Sequence, residues 1–214
     1  TGFSTFKNIK YLDPTLILWR SSSQWIGELF FLFFLIILFS NKSFNYKMTN
    51  LTYSGESNYK SEENIKNNLL KIFLLYSLLS LLYFTLLNVS GVRLFNSLNL
   101  TMSLVSNGGF LPSDSLNEII ITNFQKIILI FTLIFSMLNF YFLFNIFNKR
   151  TMLKSHNEDF YLLAFAAIFT LLIYFNNFEG LNIIISVLSS LSNSGITLFE
   201  TDNNLSLYFL LLTI

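Results

Sequence analysis

Two short turns rich in serine, asparagine and glycine recur in the sequence, each directly after a short apolar segment. The first turn contains Asn107, Gly108 and Gly109, and the second contains Ser194 and Gly195. Glycine reaches without strain the backbone angles that aim carbonyl oxygens at a common point. A ring of such carbonyls can replace the hydration shell of a monovalent cation. These turns therefore predict a site that coordinates a cation through backbone oxygens.

The apolar segments before the two turns cover residues 94–105 and 181–191, about a dozen residues each. A helix needs about 20 residues to cross the hydrocarbon core of a bilayer, so both segments are too short to span it. Irregular backbone at membrane depth is tolerated only where it is buried in protein or lines a water-filled path. We therefore predict two re-entrant half-helices beside a pore.

The composition of the chain indicates an all-α integral membrane protein. Hydrophobic residues make up 53% of the sequence and charged residues 12%, against about 25% charged in an average soluble domain. The longest apolar blocks, which we predict to be spanning helices, cover residues 15–39, 69–87, 119–147 and 160–175. The first of them follows Asp13, a good helix cap, and Pro14, which is favoured at the first helical position.

The two half-helices belong to an internal repeat whose unit is a span, a half-helix, a turn and a second span. With Gly109 aligned on Gly195, like residues coincide at four further positions: Asn96 with Asn182, Ser106 with Ser192, Asn107 with Asn193, and Asp114 with Glu200. The start of the chain matches the second half of the same unit. Thr1 and Gly2 therefore stand where a third turn is expected.

The repeat and the charges divide the chain into five parts. Residues 1–40 hold a filter strand and the second helix of a first unit, 69–148 a second unit, and 159–214 a truncated third unit. Cations cluster around the polar segments 41–68 and 149–158, which we predict to be cytoplasmic loops. The turns then face outward. Both ends of the chain are predicted to be cut from a longer protein.

Several classes of function are disfavoured by the sequence. A net charge of +1, with the cations in separate short loops, argues against a nucleic-acid partner. The absence of cysteine removes disulfides and thiolate metal sites. The predicted spans carry no cluster of His, Cys or carboxylates that intramembrane catalysis would need, so we expect no enzyme and no cofactor. A non-conducting polytopic membrane scaffold remains the alternative to a pore.

The turns and the helix after the first of them resemble the Trk/Ktr/HKT superfamily, most closely a Trk-type pore-forming membrane subunit. The matching segments are TGFST at 1–5, LWRS at 18–21, QWIG at 24–27, LFNSLN at 94–99, VSNGGF at 105–110, LNF at 138–140 and SNSG at 192–195. The likeness covers nearly the whole chain. It implies the fold of potassium-channel-like transporters, in which such units repeat four times around one pore.

The resemblance also implies a function and partners. We expect potassium uptake across the cytoplasmic (inner) membrane by a multi-pass subunit, with K⁺ held at the filter carbonyls of Gly2, Gly109 and Gly195. It implies a homodimer in contact with membrane lipid and a cytoplasmic nucleotide-binding regulatory subunit. A glycine at position 2 is typical of K⁺-permeable members, and a Na⁺-permeable relative is the alternative.

One position departs from the family pattern. Glu28 stands where the family usually has glycine. Arg20, Gln24 and Glu28 then follow one another at four-residue spacing on one helix face, which predicts that they pair with one another. We further expect Arg20 to extend to the membrane surface, because it lies near the start of its helix.

Overall fold

The computed structural model describes residues 9–40, 62–138, 140, 143, 157–174 and 180–196, and the regular secondary structure within these ranges is helical. The α-helices of this part are α1 (Pro14–Ser40), α2 (Glu62–Val89), α3 (Leu94–Val105), α4 (Asn123–Met137), α5 (Asn157–Tyr174) and α6 (Gly180–Leu191). The predicted all-α class is confirmed for these residues. Thr1, Gly2 and the end of the predicted third unit lie outside the described residues.

Helices α3 and α6 are the two predicted half-helices. Each has 12 residues, which at 1.5 Å per residue gives a length of about 18 Å, well short of a membrane span. The predicted bounds of α3 are those of the structure, and α6 begins one residue earlier than predicted. The length of the apolar segments was therefore a sound guide to both elements.

Each half-helix packs between two longer helices, and the neighbours are equivalent in the two cases. Helix α3 contacts α2, which precedes it, and α1, the last helix of the preceding unit. Helix α6 contacts α5, which precedes it, and α4, again the last helix of the preceding unit. The internal repeat of the sequence is therefore also a repeat of packing.

A cluster of fully buried aliphatic side chains joins the half-helices to α4. Leu100 and Leu104 lie one turn apart on α3, Leu129 and Leu133 lie one turn apart on α4, and Ile185 comes from α6. Residues four apart share one helix face, so the spacing directs both pairs into the same core. Each fully buried side chain of this size contributes about 1.5–3 kcal/mol relative to exposure. This core fixes where the half-helices end.

The first helix starts as the sequence predicts, with Asp13 as its cap and Pro14 as its first residue. The Asp13 carboxylate accepts hydrogen bonds from the Thr15 amide, at 2.8 Å, and from the Thr15 hydroxyl. These bonds hold the pKa of the exposed Asp13 carboxyl below its usual value, with the hydroxyl as the larger cause. An amide that the helix leaves without a partner is satisfied in this way.

Two other helices begin earlier than predicted. Helix α2 begins at Glu62 instead of residue 69, and α5 begins at Asn157 instead of residue 160. The last residues of the predicted loops 41–68 and 149–158 are therefore helical. Apolar blocks mark only the lipid-compatible part of a helix, whereas acidic first turns such as those of α2 and α5 favour helix formation beyond that block.

The span predicted over 119–147 is interrupted. Phe140 and Leu143, after the interruption, are helical, and the other residues of 139–147 lie outside the described part of the chain. Before it, α4 covers Asn123–Met137. Its start is fixed by a capping box: the Gln125 amide donates to the Thr122 hydroxyl at 3.3 Å, and Gln125 Oε1 accepts from the Thr122 amide at 3.1 Å. At its other end Leu138 is extended, with φ −67° and ψ 145°. Apolar composition alone does not show either boundary.

The outer faces of several helices are strongly apolar. By length and composition, one helix within the described ranges is suited to crossing a membrane, over Lys66–Val89. Large apolar side chains are more than half exposed on five helices, among them Phe30 on α1, Leu81 on α2, Leu94 on α3, Phe124 on α4 and Leu171 on α5. Apolar surface of this extent indicates contact with lipid or with further protein.

The capping box of α4 provides a first test. Gln125 Nε2 also donates to the Ser90 carbonyl at the end of α2, at 3.3 Å. We expect Gln125→Ala to lower the free energy of unfolding by about 1–2 kcal/mol, because the capping bond and the hydrogen bond to Ser90 are lost together. Thermal denaturation of the purified protein in detergent measures the effect. Asn123→Ala, an exposed change in the same helical turn, is the control, and equal shifts for both variants would contradict the assigned role of Gln125.

Candidate functional site

The chain leaves α3 through a Schellman motif, the hydrogen-bonded reversal that ends many helices. Asn107 has a left-handed backbone, with φ 51°. The Gly108 amide donates to the Ser103 carbonyl at 2.9 Å, and the Asn107 amide donates to the Leu104 carbonyl at 3.3 Å. Carbonyls that the helix end would leave without a partner are satisfied in this way. The backbone therefore reverses direction while the Ser103 and Leu104 carbonyls keep hydrogen-bond partners.

Helix α6 ends in the same motif. Asn193 is left-handed, with φ 57°. The Ser194 amide donates to the Ser189 carbonyl at 3.1 Å, and the Asn193 amide donates to the Ser190 carbonyl at 3.1 Å. Asparagine adopts this conformation more readily than other residues with a side chain. The aligned asparagines of the sequence repeat are thus explained by the backbone that both turns require.

A second left-handed residue follows two positions later in each turn. Gly109 has φ 74° and Gly195 has φ 66°. A residue with a Cβ atom is strained here by roughly 1–2 kcal/mol, which glycine avoids. We call residues 106–109 the α3 turn and residues 192–195 the α6 turn. The two turns share a backbone course in which asparagine and glycine occupy matching left-handed positions.

The α3 turn is held by a side chain from α1, 84 residues away in the sequence. Gln24 Nε2 donates to the Gly108 carbonyl at 2.8 Å. A Cβ atom on Gly108 would lie 2.3–2.6 Å from the amide group of Gln24. A side chain at position 108 would therefore have to displace the Gln24 amide from the turn. The predicted role of Gly108 as an ion-binding carbonyl stays a prediction beside this contact.

Two further contacts fix the same turn. Asn107 Nδ2 donates to the Ser136 carbonyl near the end of α4, at 3.2 Å. The guanidinium carbon of Arg20 lies 4.4 Å from the centroid of the Phe110 ring, close enough for a cation–π attraction of about 1 kcal/mol. Helix α1 thus holds the α3 turn and the residue after it, and α4 holds the turn from another side.

These contacts correct the prediction made for the polar face of α1. Gln24 pairs with neither Arg20 nor Glu28, because its amide is engaged by Gly108. Arg20 is only 8% exposed and packs against Phe110, so the prediction that it extends to the membrane surface is wrong. The four-residue spacing does mark a face of α1 that makes specific contacts. Its partner is the α3 turn, which sequence reasoning missed.

The α6 turn is held by its own side chains instead. Ser194, the counterpart of Gly108, is fully buried. Its hydroxyl donates to the Ser189 carbonyl at 3.2 Å, and its oxygen lies 3.1 Å from Ser189 Oγ and 3.0 Å from Ser192 Oγ. A side chain at this position is thus tolerated and braces the turn from within. The two turns thus have the same backbone conformation, but different side-chain hydrogen bonds stabilise them.

A further bond connects the chain beyond the first predicted turn to the chain beyond the α3 turn. The Ile9 amide donates to the carboxylate of Asp114. Ile9 comes seven residues after Gly2, and Asp114 comes five residues after Gly109. The segments that follow these two glycines therefore meet. Thr1 and Gly2 themselves lie outside the described residues, and their role stays a prediction.

The predicted residues are thus gathered at two equivalent places. Asn107, Gly108 and Gly109 lie at the end of α3, and Ser194 and Gly195 lie at the end of α6. Two half-helices that end in glycine-containing turns, each packed between longer helices, are thus the repeated architecture of the described part of the chain.

A similar architecture occurs in a solved transporter structure. The chain has the fold of the potassium transporter TrkH from Vibrio parahaemolyticus: the crystal structure matches with a TM-score of 0.68 and 15% sequence identity, over 95% of this chain and 44% of that one. An uncharacterized cation transporter of Methanocaldococcus jannaschii is 29% identical over 134 residues, which is 61% of this chain and 27% of the relative. No family model matches the chain. The predicted resemblance to Trk-type transporters is confirmed by the fold.

The contact between α1 and the α3 turn provides a second test, by a double-mutant cycle. Gln24→Ala should lower the free energy of unfolding by about 1 kcal/mol, through loss of the bond to Gly108. Gly108→Ala should cost at least as much alone, because its Cβ displaces the Gln24 amide. In the Gln24→Ala background, Gly108→Ala should cost little, so the two effects are strongly non-additive.

Denaturation of all four proteins in detergent measures the cycle. Gly27→Ala on the same helix is the matched control, since a Cβ atom there meets nothing within 4 Å. Additive effects of Gly108→Ala and Gln24→Ala would contradict the proposed cause of the glycine requirement.

Proposed function

We propose that this chain forms part of a pore that takes up K⁺ across the cytoplasmic membrane, with the ion held by backbone carbonyls of the two described turns. The observation that carries the proposal is the shared backbone of the turns, in which Gly109 and Gly195 adopt the same left-handed conformation at the ends of equivalent half-helices. Gly2 is proposed to supply the corresponding turn of the first unit. Cation transport in general is supported by both similar proteins, a potassium transporter and an uncharacterized cation transporter.

The direction of the half-helices supports cation binding on electrostatic grounds. Both α3 and α6 reach their turn with the carboxyl-terminal end. That end of a helix carries the equivalent of roughly half a negative charge. A cation next to the turn is therefore stabilised, whereas an anion is repelled. The same direction in both repeats means that the two fields add at a shared site.

Rigid positioning of the turns supports discrimination among cations. A carbonyl replaces a water ligand without further cost only if it is already in place when the ion arrives. Gln24 and Asn107 fix the α3 turn from two sides, and Ser194 fixes the α6 turn. In the proposed pore Gly109 and Gly195 offer the ion-facing carbonyls, and Gly108 with its bond to α1 sets the angle of the first of them.

The rest of the pore is proposed to come from outside the described residues. The chain spans 44% of the TrkH chain it matches and 27% of the curated relative. A carbonyl cage has to surround the ion, so we propose further units in the full-length protein and four in all. A homodimer in contact with lipid, and a cytoplasmic nucleotide-binding subunit that contacts residues 41–68 and 149–158, are the proposed partners.

The energetic source of uptake follows from the proposed orientation. With the turns on the outer side, K⁺ passes inward down the membrane potential, which supplies about 2.3 kcal/mol per 100 mV for each charge. In this scheme the protein lowers the barrier of dehydration, and the potential drives the ion.

The test uses the full-length protein in cells that lack their own potassium uptake. Gly109→Ser should reduce Rb⁺ and K⁺ uptake about tenfold, or reduce the preference over Na⁺ by a similar factor, because a strain of roughly 1–2 kcal/mol shifts the carbonyls. Membrane insertion should be unchanged. Uptake measured with radioactive tracer, normalised to protein in the membrane, gives the result.

The control is Gly27→Ala, which should leave uptake intact. If Gly109→Ser transports K⁺ at the normal rate and with normal selectivity, the filter assignment is wrong. If the unmodified protein prefers Na⁺, the chain belongs to a sodium-permeable transporter. If it transports neither ion, it serves as a scaffold.

A further inference from the structure

The Gly108 carbonyl has a hydrogen-bond donor that comes from outside its own turn. Gln24 Nε2 donates to it at 2.8 Å. Gln24 belongs to α1, one of the two longer helices between which α3 packs. Exchange of the two atoms of the Gln24 amide would bring two acceptors together, so the bond identifies the nitrogen as the contacting atom. The oxygen that the proposed pore would offer to an ion at residue 108 is therefore already an acceptor.

The Gln24 amide is only half satisfied in this position. Its Oε1 atom is buried and has no hydrogen-bond partner among the described residues. A buried acceptor without a partner costs about 1–3 kcal/mol. The amide also fills the space next to Gly108 in which a side chain of residue 108 would begin. Residues that depart from the general rules of stability are found mainly at functional sites, which makes Gln24 a candidate for a role in the pore.

The α6 turn receives no equivalent bond from the helix beside it. Helix α4 contacts α6 as α1 contacts α3. Over residues 127–137, α4 has no amide or cationic side chain. The two hydroxyl groups in this stretch, of Thr132 and Ser136, donate to carbonyls of α4 itself, at 2.9 and 3.1 Å. The Ser194 carbonyl, which corresponds to that of Gly108, therefore accepts no side-chain hydrogen bond from this part of α4.

A cation and an N–H group compete for one carbonyl oxygen. Both are attracted by the negative end of the carbonyl dipole, and the positive hydrogen of the amide repels a cation placed beside it. The strength of a filter site depends on the number and the field strength of its carbonyl ligands. The Gln24 amide thus lowers the contribution of the α3 turn to an ion at the level of Gly108, whereas this stretch of α4 imposes no such competition on the α6 turn.

We propose that Gln24 competes with K⁺ for the Gly108 carbonyl and thereby weakens the ion site at this level of the filter. The inference rests on the proposed function and names a residue that limits the affinity of the pore. In the proposed orientation the chain returns outward after α3, so Gly108 lies on the inner side of Gly109, where the ion leaves. Conduction requires that an ion is held weakly enough to leave. Gln24 is a positioning residue, because it contacts the ligand of the ion.

The direct experiment is crystallography of the full-length protein in a Tl⁺ concentration that leaves the sites partly occupied, since Tl⁺ replaces K⁺ and is located by anomalous scattering. We expect an outer peak at the carbonyls of Gly109 and Gly195 and a weaker inner peak at the level of Gly108. In Gln24→Met, which keeps the length of the side chain but has no donor, the inner peak should rise about threefold relative to the outer peak.

The possible results separate the two proposals. An inner peak that is equally high in both proteins, lower in Gln24→Met or absent from both would overturn this inference alone. Absence of the outer peak from the unmodified protein would overturn the proposed function.

A flux measurement tests the consequence for transport. In vesicles with the full-length protein, Gln24→Met and Gln24→Leu should each lower the half-saturating K⁺ concentration about threefold, because the freed carbonyl binds the ion more strongly. Loss of a purely structural contact would loosen the turn and raise that concentration instead.

Ser23→Ala is the matched control for this measurement. The neighbouring side chain is exposed, and its hydroxyl donates to the Arg20 carbonyl within α1 at 2.7 Å. This variant should keep the half-saturating concentration of the unmodified protein. An unchanged or higher concentration in either Gln24 variant, or an equal decrease in Ser23→Ala, would contradict the inference.

Discussion

The ends of α3 and α6 impose the constraint on which the remaining structure depends. A helix that stops inside a protein leaves its last carbonyls without partners within the helix, so the chain that follows has to satisfy them. Both half-helices solve this with the same pair of backbone bonds, made by Asn107 and Gly108 in one turn and by Asn193 and Ser194 in the other. The position of each turn is then set by the core that buries the half-helix before it.

The two turns show which features of a repeat are demanded by the backbone and which by the neighbours. Left-handed geometry recurs at both asparagines and at Gly109 and Gly195, so these residue types recur. The position between them differs, because Gln24 of α1 occupies the space at Gly108 whereas the Ser194 hydroxyl bonds back to α6. A pore assembled from such units can keep similar carbonyl positions while its outer contacts diverge.

Local features of the sequence predicted the half-helices and the start of α1, because segment length, capping residues and glycine act within a few residues. The early start of α2 and the end of α4 at Met137 were missed, since apolar composition does not register a polar helical turn or a break within an apolar block. The bond between Gln24 and Gly108 joins residues 84 positions apart and depends on packing that spacing alone does not reveal. The four-residue pattern of α1 was visible in the sequence, but its partner was not.

Whether the turns select K⁺ is tested most directly by the reversal potential of the full-length protein in a planar bilayer, with K⁺ on one side and Na⁺ on the other. Carbonyls fixed in place at Gly109 and Gly195 predict a current whose reversal potential lies close to the equilibrium potential of K⁺ and moves with the K⁺ gradient. A reversal potential near zero, one that follows Na⁺, or the absence of any current would contradict a potassium-selective pore.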